Sequence, residues 1–164
     1  MQASFSVKLE KEYHVFSAAH FITFAGNICE RLHGHNYRVK VAVPGPLDEN
    51  AYVIDFILLR DTLKGIVDEL DHRMLLPDSH PLIQVNVSAS EVEVRFTPDS
   101  RRWIFPLGDC LILPVANTTA ELLAQYIGQQ LYKRLEAQGA FLPAELEIGV
   151  DENHGQWGVC RLKR

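Results

Sequence analysis

The stretch from His33 to Val43 places the strongest constraint on the fold, because apolar and polar positions alternate along it. Successive side chains of a β-strand point to opposite sides, so a period of two predicts a strand with one buried face. The turn-forming segment PGPLDEN, residues 44–50, ends the pattern. One face of the predicted strand carries His33, His35, Tyr37, Val39, Val41 and Val43, and the other carries Gly34, Asn36, Arg38 and Lys40.

A second long strand is predicted from residue 5 to residue 20. Its apolar positions are odd-numbered at first and even-numbered from Phe16 to His20, so the alternation changes phase. A change of phase near Glu10–Glu12 predicts a β-bulge, which re-aims the rest of the strand. Residues 21–31, which include Gly26, are predicted to be a loop between the two strands.

Two helices are predicted from apolar residues at helical spacing. The first has Asp55 as its N-cap and runs to about Leu70. The second starts with a capping box formed by Thr118 and Glu121 and ends at Gly139. Short strands are predicted at 91–96 and 101–105, as an extra β-hairpin between the helices, and at 145–152 and 156–162. This order indicates one α+β domain over residues 1–164, with an antiparallel sheet and two helices on one face.

The composition excludes several classes of protein. The net charge of -5 disfavours nucleic acid as the main partner, because phosphate binding needs a basic face. The three cysteines, at 29, 110 and 160, have no CxxC spacing, which disfavours a disulfide scaffold. The first 16 residues are unlike a signal peptide, and no apolar run approaches a membrane span. We therefore expect a cytoplasmic protein with no membrane partner.

Three histidines form the strongest candidate for a metal site. His33 and His35 lie on the same side of their strand, and His20 ends the preceding strand in the phase of its apolar neighbours. If the two strands pair as a hairpin, three imidazoles converge. Three neutral imidazoles suit Zn²⁺ and leave a fourth position open in a catalytic site. A structural zinc site would need a fourth protein ligand, which Cys29 could supply.

Four further positions are candidates for chemistry beside that site. A nearby cation would lower the pKa of the Cys29 thiol and make it available as a base, and Glu30 is equally well placed. Asp71 could support His72 as a proton carrier, although the pair alone is better explained by a histidine at a helix C-terminus, where the helix dipole favours it. Three more residues could bind a ligand: Glu152 is a carboxylate in an apolar phase of its strand, and Thr118 and Thr119 lie at the start of a helix.

Six short motifs occur in an order that resembles the 6-pyruvoyl-tetrahydropterin synthase and 6-carboxy-tetrahydropterin synthase family. They are SAAH at 17–20, C-x3-HGHNY at 29–37, Ile54–Asp55, LDH at 70–72, NTTAE at 117–121 and a late strand with Glu152. The resemblance implies the tunnelling fold (T-fold), in which antiparallel sheets of several subunits form an oligomeric β-barrel with the helices outside. It also implies a homohexamer, as a dimer of trimers, with active sites between subunits.

The resemblance further implies a role for each candidate residue. His20, His33 and His35 would bind zinc, Cys29 would be the general base, and Asp71 with His72 would complete the proton relay, from a neighbouring subunit. Glu152 would bind the N–H groups of a pterin ring, with Thr118 and Thr119 lining its pocket. The implied substrate is 7,8-dihydroneopterin triphosphate, on which zinc acts as a Lewis acid.

Two features leave the product open. The C-x3-HGH spacing is similar to that of the bacterial 6-carboxy-tetrahydropterin synthases of the queuosine and deazapurine route, whereas pyruvoyl-type enzymes place the cysteine further away. Glu30, however, stands where a third group of the family, which makes 6-hydroxymethyl-dihydropterin for folate, carries glutamate in place of cysteine. A 6-pyruvoyl-tetrahydropterin synthase, and a non-catalytic, zinc-bearing scaffold with Cys29 as fourth ligand, are the remaining alternatives. The carboxy, folate-route and scaffold hypotheses each predict a different behaviour of Cys29 and Glu30.

Overall fold

The computed structural model describes residues 2–164, in which it places two α-helices and eleven strands. Neither helix of the described chain is long and apolar enough to cross a membrane. A single 3₁₀ turn lies at Leu107–Asp109. The helices are α1 (Phe56–Leu70) and α2 (Ala120–Ala137), and the strands are β1 (Phe5–His20), β2 (Thr23–Phe24), β3 (Ile28–Cys29), β4 (His33–Gly45), β5 (Arg73–Pro77), β6 (Ile83–Val87), β7 (Glu91–Phe96), β8 (Arg101–Pro106), β9 (Cys110–Leu113), β10 (Glu145–Asp151) and β11 (Trp157–Lys163).

Six of the strands form one mixed sheet in the order β11-β10-β4-β1-β5-β9. The pairs β1–β4, β4–β10 and β10–β11 are antiparallel, as the sequence predicts. The prediction of a wholly antiparallel sheet is wrong at the other end, where β1–β5 and β5–β9 pair in parallel. Neither β5 nor β9 was predicted, because RMLLP and CLIL are short apolar runs without alternation, which periodicity alone does not assign.

The predicted hairpin of the two long strands is present as the β1–β4 ladder. Its register changes between Glu10, opposite Lys40, and Val15, opposite Arg38. Four residues of β1 therefore face a single residue of β4, and this irregularity is the predicted change of phase. After it, β1 continues with its even-numbered residues buried, which brings His20 opposite His33.

Both helices pack on the same face of the sheet, over one hydrophobic core. The α1 helix begins as predicted, because the Asp55 carboxylate accepts hydrogen bonds from the N–H groups of Ile57 (2.7 Å) and Leu58 (3.2 Å). The α2 helix is capped by the Thr119 hydroxyl, which accepts from the Leu122 N–H. The core contains Val39, Val41 and Val43 of β4, Leu59, Leu63, Ile66, Val67 and Leu70 of α1, and Leu123, Ala124, Ile127, Leu131 and Leu135 of α2.

The predicted capping box with Thr118 as the cap is therefore wrong by one residue. Thr118 is fully buried, and its hydroxyl donates instead to the Phe21 carbonyl at 3.3 Å. The other end of α2 is as predicted, since Gly139 has a left-handed φ of +67° and its N–H donates to the Glu136 carbonyl.

The segment between the helices builds a second, smaller core. The predicted hairpin of β7 and β8 is joined by β6, which makes a three-stranded antiparallel sheet. β5 separates the two cores, because Leu75 points into the main core while Met74 and Leu76 point into the second. The second core contains Phe21, Cys29, Met74, Leu76, Ile83, Val92, Val94 and Phe96.

Candidate active site

The β1–β4 ladder brings the three predicted histidines together. Ala18 lies opposite His35 and His20 opposite His33, so the three imidazoles project from two neighbouring strands. Their ligand nitrogens all lie within 4.8 Å of one another, which is close enough to share one metal ion. Gly34 permits this arrangement, because a Cβ there would lie 3.0 Å from the Ala18 carbonyl oxygen.

Hydrogen bonds to backbone carbonyls orient two of these imidazoles as metal ligands. The His20 Nδ1 lies 2.9 Å from the Thr118 carbonyl, and the His33 Nδ1 lies 2.8 Å from the Arg31 carbonyl. A carbonyl only accepts, so Nδ1 carries the proton in each ring and Nε2 keeps its lone pair. The His20 Nε2 is buried and makes no hydrogen bond within residues 2–164, and its polar neighbour there is the Glu152 carboxylate, whose Oε1 lies 3.2 Å away. Such an orphaned nitrogen fits a metal ligand, because a buried polar atom otherwise needs a partner.

The buried position of His20 also sets its charge. Burial lowers the pKa of His20 to about 4, although the Thr118 carbonyl opposes this shift. At neutral pH the ring is therefore uncharged, which is the form that binds a metal. The donor set, three imidazole nitrogens, is one that zinc binds with a position left for substrate or water.

Glu152 lies directly after β10, and its carboxylate faces the same cluster. Its Oε1 is 3.2 Å from the His20 Nε2, and it accepts a hydrogen bond from the buried Tyr37 hydroxyl at 3.5 Å. Burial raises the pKa of Glu152, although His35 opposes this shift. Asp151 shapes the turn that carries Glu152, because its carboxylate accepts a hydrogen bond from the Gly155 N–H at 2.9 Å. The same carboxylate accepts a second hydrogen bond from the guanidinium of Arg38 on β4.

Cys29 and Glu30 point in different directions, because they are successive residues of an extended segment. The Cys29 side chain is buried in the second core, and burial raises the pKa of its thiol although Arg101 opposes this shift. The Glu30 Oε2, by contrast, is 4.0 Å from the His33 Nε2 and accepts from the Ile22 N–H at 3.4 Å. Of the two predicted bases, Glu30 is thus the one whose side chain contacts the histidine cluster.

Asp71 and His72 form the bonded pair that their adjacency alone did not guarantee. The His72 Nδ1 lies 2.8 Å from the Asp71 Oδ2, while the other oxygen accepts from the Ser17 N–H at 2.7 Å. The Ser17 N–H, together with His72, holds the pKa of Asp71 below its usual range. His72 is strongly exposed and shares a cleft of about 530 Å³ with His35, so the pair opens onto one side of the histidine cluster.

Thr118 and Thr119 contribute mainly to the scaffold of the site in the single chain. The Thr118 carbonyl orients His20, and Thr119 caps α2. Their predicted contact with a pterin stays a prediction. Three residues around the site, Asn117, Asp151 and Arg101, were not predicted, because each acts on a segment far away in the sequence and local patterns do not record such contacts.

Comparison with known proteins assigns the chain to a family. The family model described as 6-pyruvoyl tetrahydropterin synthase matches residues 8–163. A 6-carboxy-5,6,7,8-tetrahydropterin synthase of Aquifex aeolicus is 32% identical over 114 residues, which is 69% of this chain and 62% of the relative. A Methanocaldococcus jannaschii relative, named provisionally as the same enzyme, is 34% identical over 149 residues, which is 90% of this chain and 89% of the relative.

Two solved structures share the fold over almost the full chain. The 6-pyruvoyl tetrahydropterin synthase of Plasmodium falciparum is 30% identical to this chain, with a TM-score of 0.88. The alignment covers 99% of this chain and 100% of that chain. A Plasmodium vivax 6-pyruvoyltetrahydropterin synthase, in which a glutamate named as a catalytic residue is replaced by cysteine, is 25% identical with a TM-score of 0.90 and the same coverage. With the match of the family model over residues 8–163, these likenesses show that the chain is a member of the 6-pyruvoyl tetrahydropterin synthase family of pterin enzymes.

Proposed function

We propose that this protein is a zinc-dependent lyase that converts 7,8-dihydroneopterin triphosphate to 6-carboxy-5,6,7,8-tetrahydropterin, in the route to queuosine and deazapurines. The observation that carries the proposal is the convergence of three imidazoles, two with a free Nε2, beside Glu30 and close to Cys29 in sequence. The names of the curated relatives support the carboxy product.

The residues around the cluster then have separate tasks. A zinc ion on His20, His33 and His35 would polarise the side-chain oxygens of the substrate and acidify its carbon-bound protons. A base on the 29–30 segment removes such a proton, and His72, held by Asp71, returns one. Glu152 binds the N–H groups of the pterin ring, which compensates its partly buried charge.

A second candidate function follows from the different directions of Cys29 and Glu30. In this structure the carboxylate of Glu30, and not the buried thiol of Cys29, contacts a metal-ligand candidate. A glutamate is also named as a catalytic residue in the P. vivax enzyme. We therefore propose, as the alternative, a lyase that uses Glu30 as its base and releases 6-hydroxymethyl-dihydropterin for folate synthesis.

The assembly belongs to the same proposal. We infer a cytoplasmic homohexamer, built as a dimer of trimers around a β-barrel, whose partner is the pterin triphosphate rather than nucleic acid or a membrane. Asp71 and His72 would act in the site of a neighbouring subunit in such an assembly. The net charge of -5 supports a small-molecule partner over nucleic acid.

Product identification tests the proposal. Zinc-loaded protein is incubated with 7,8-dihydroneopterin triphosphate, and the pterins are identified by mass spectrometry for the wild type, Cys29→Ala, Glu30→Gln and, as a thiol control, Cys160→Ala. Carboxy-tetrahydropterin that disappears in Cys29→Ala with zinc retained supports the leading proposal. Hydroxymethyl-dihydropterin that disappears in Glu30→Gln supports the alternative. No turnover by the wild type, together with zinc loss in Cys29→Ala, would leave the zinc-bearing scaffold and reject both enzymes.

A further inference from the structure

The segment that carries both candidate bases has little structure of its own. Cys29 ends the β2–β3 hairpin, in which each strand has two residues, and Glu30 follows it. An isolated two-stranded hairpin is marginally stable in water even when it is longer than this one. Within this hairpin the N–H and carboxylate of Glu30 are bonded only to Ile22, so contacts with other parts of the described chain must supply the rest of the restraint on Cys29 and Glu30.

Arg101, the first residue of β8, supplies such contacts to the backbone. One terminal nitrogen of its guanidinium donates to the Cys29 carbonyl at 3.1 Å, and the other donates to the Glu30 carbonyl at 3.4 Å. The two bonds span consecutive peptide groups, which a planar guanidinium can engage together and a lysine ammonium cannot. They also join residues more than 70 positions apart.

The guanidinium itself is held in place from two directions. The Asp99 carboxylate accepts from the Arg101 Nε at 2.6 Å and from its backbone N–H at 3.0 Å. The guanidinium carbon lies 5.3 Å from the ring centre of Phe96 and 5.8 Å from that of Trp103, within range of cation–π attraction. Asp99 thus occupies Nε and leaves both terminal nitrogens for the two carbonyls.

The side chain of Cys29 completes the restraint. It is buried in the second core, which the same three-stranded sheet forms through Val92, Val94 and Phe96. With Cys29 pointing into that core and both carbonyls bound, the alternation of an extended chain sends Glu30 the other way, toward His33. A loosened segment could instead rotate and exchange the two side chains.

We propose that Arg101 is a positioning residue that fixes the Cys29–Glu30 segment and so decides which of the two side chains reaches the histidine cluster. The three-stranded sheet inserted between the helices then has a function, since it carries Arg101, its partner Asp99 and the core that receives Cys29. This inference rests on the proposed function for its effect on catalysis, whereas the restraint of the segment is independent of it.

The experiment compares Arg101→Ala and Arg101→Lys with Arg102→Ala. Arg102 is the matched control, because it is the adjacent arginine of β8 and pairs with Glu93 on the same sheet, away from the hairpin. Alkylation of Cys29 by iodoacetamide, followed by peptide mass spectrometry, reports the opening of the segment without any turnover. We expect Arg101→Ala to be labelled at Cys29 about tenfold faster than the wild type, Arg101→Lys to be intermediate, and Arg102→Ala to match the wild type.

Turnover of 7,8-dihydroneopterin triphosphate supplies the second measurement. We expect Arg101→Ala to lower kcat by about 100-fold, because small displacements of a base have effects of this size, with KM near the wild-type value and a changed ratio of carboxy to hydroxymethyl product. Zinc content equal to that of the wild type would exclude general loss of the site. Should Arg101→Ala fail to fold, Asp99→Asn removes the charge and one of the two acceptor oxygens that orient the guanidinium, and it is expected to shift both measurements in the same direction.

The outcomes separate the two proposals. Wild-type labelling of Cys29 in Arg101→Ala and in Asp99→Asn would overturn the positioning role, whatever the enzyme does. Faster labelling with an unchanged kcat and product ratio in an active enzyme would overturn the link to catalysis. Faster labelling in a protein whose wild type has no turnover would retain the restraint and reject the proposed function.

Discussion

His14 is a buried titratable side chain outside the candidate site. It lies at the bulge of β1, is fully buried, and neither ring nitrogen makes a hydrogen bond in the described part of the chain. Burial lowers the pKa of His14 from 6.5, and the positive charges of Lys64, Lys11 and Arg60 lower it further. The Arg60 backbone carbonyl acts in the opposite direction and raises the pKa. The fold therefore favours the neutral ring.

This gives His14 a predictable effect on stability. Below pH 6.5 the unfolded chain binds a proton that folded His14 does not, so stability falls as the pH drops toward the lowered folded pKa, by at most about 1.4 kcal/mol per pH unit. We expect His14→Leu to lose less unfolding free energy than the wild type between pH 8 and pH 5.5, in urea titrations by circular dichroism. His20 and His80, whose pKa values burial also lowers, keep part of the dependence. Equal losses in both proteins would contradict the prediction.

At the scale of single residues, part of the candidate site could be predicted from the sequence. The convergence of His20, His33 and His35 followed from a period of two in neighbouring strands, which is local information. The roles of Arg101 and Asn117 did not, because Arg101 binds carbonyls 71 and 72 residues away and the Asn117 amide donates to the Thr23 carbonyl 94 residues away. Such contacts exist only after both cores have formed.

At the scale of elements, the α2 helix packs closely against the sheet at Gly158 of β11. A Cβ at this position would lie 2.6 Å from the backbone of Ala120 and Glu121, in the first turn of α2. Backbone atoms cannot rotate away, so the helix would have to shift. The same turn follows Thr118, whose carbonyl orients His20, and the packing of α2 is therefore coupled to the metal site.

We therefore expect Gly158→Ala to lower the unfolding free energy by about 3 kcal/mol and to weaken zinc binding. Gly108→Ala is the control, since a Cβ there meets nothing within 4 Å, and it should change stability by less than about 0.5 kcal/mol. Urea unfolding and a competitive zinc titration measure the two effects. Similar stabilities of the two variants would show that α2 does not pack on Gly158 as described.

Some of the helices and strands could be predicted from the sequence, and others could not. Both helices, the end of α2 before Gly139 and the four long strands β1, β4, β10 and β11 followed from period and capping. β5 and β9 did not, because β5 is buried between two cores and shows a continuous apolar run instead of alternation. The parallel pairings depend on these two strands, and the sheet was predicted as antiparallel for that reason.

At the scale of the whole molecule, the six-stranded sheet ends in two edges. In the described chain β11 and β9 each have a partner on one side only. Open edges favour pairing with a strand of another chain, and the proposed barrel would use them in that way.

Six chains of 18.6 kDa would give a particle of about 112 kDa. Native mass spectrometry and sedimentation should detect this particle, and a species of one chain would contradict the proposed hexamer.

Metal binding should stabilise the whole molecule, because the three imidazoles bridge the ends of β1 and β4. A ligand that binds only the folded chain at 100 times its Kd adds about 2.7 kcal/mol. We expect zinc to raise the unfolding free energy by about this amount, and a chelator to reverse the gain. In His33→Ala we expect zinc to raise the unfolding free energy by much less. The metal-free stability should stay near the wild-type value, because the His33 side chain is 38% exposed and its hydrogen bond in the described chain is to the nearby Arg31 carbonyl.

His72→Ala separates ligation from any general effect of losing an imidazole. His72 is 82% exposed and lies outside the group of three ligand candidates, so its variant should keep the full zinc gain. The three proteins are compared by thermal unfolding with zinc and with a chelator at one fixed pH. An equal zinc gain in wild type and His33→Ala would place the metal elsewhere. A loss of the gain in His72→Ala would add that residue to the ligand set, and with it the site would close around the metal instead of leaving a position for substrate.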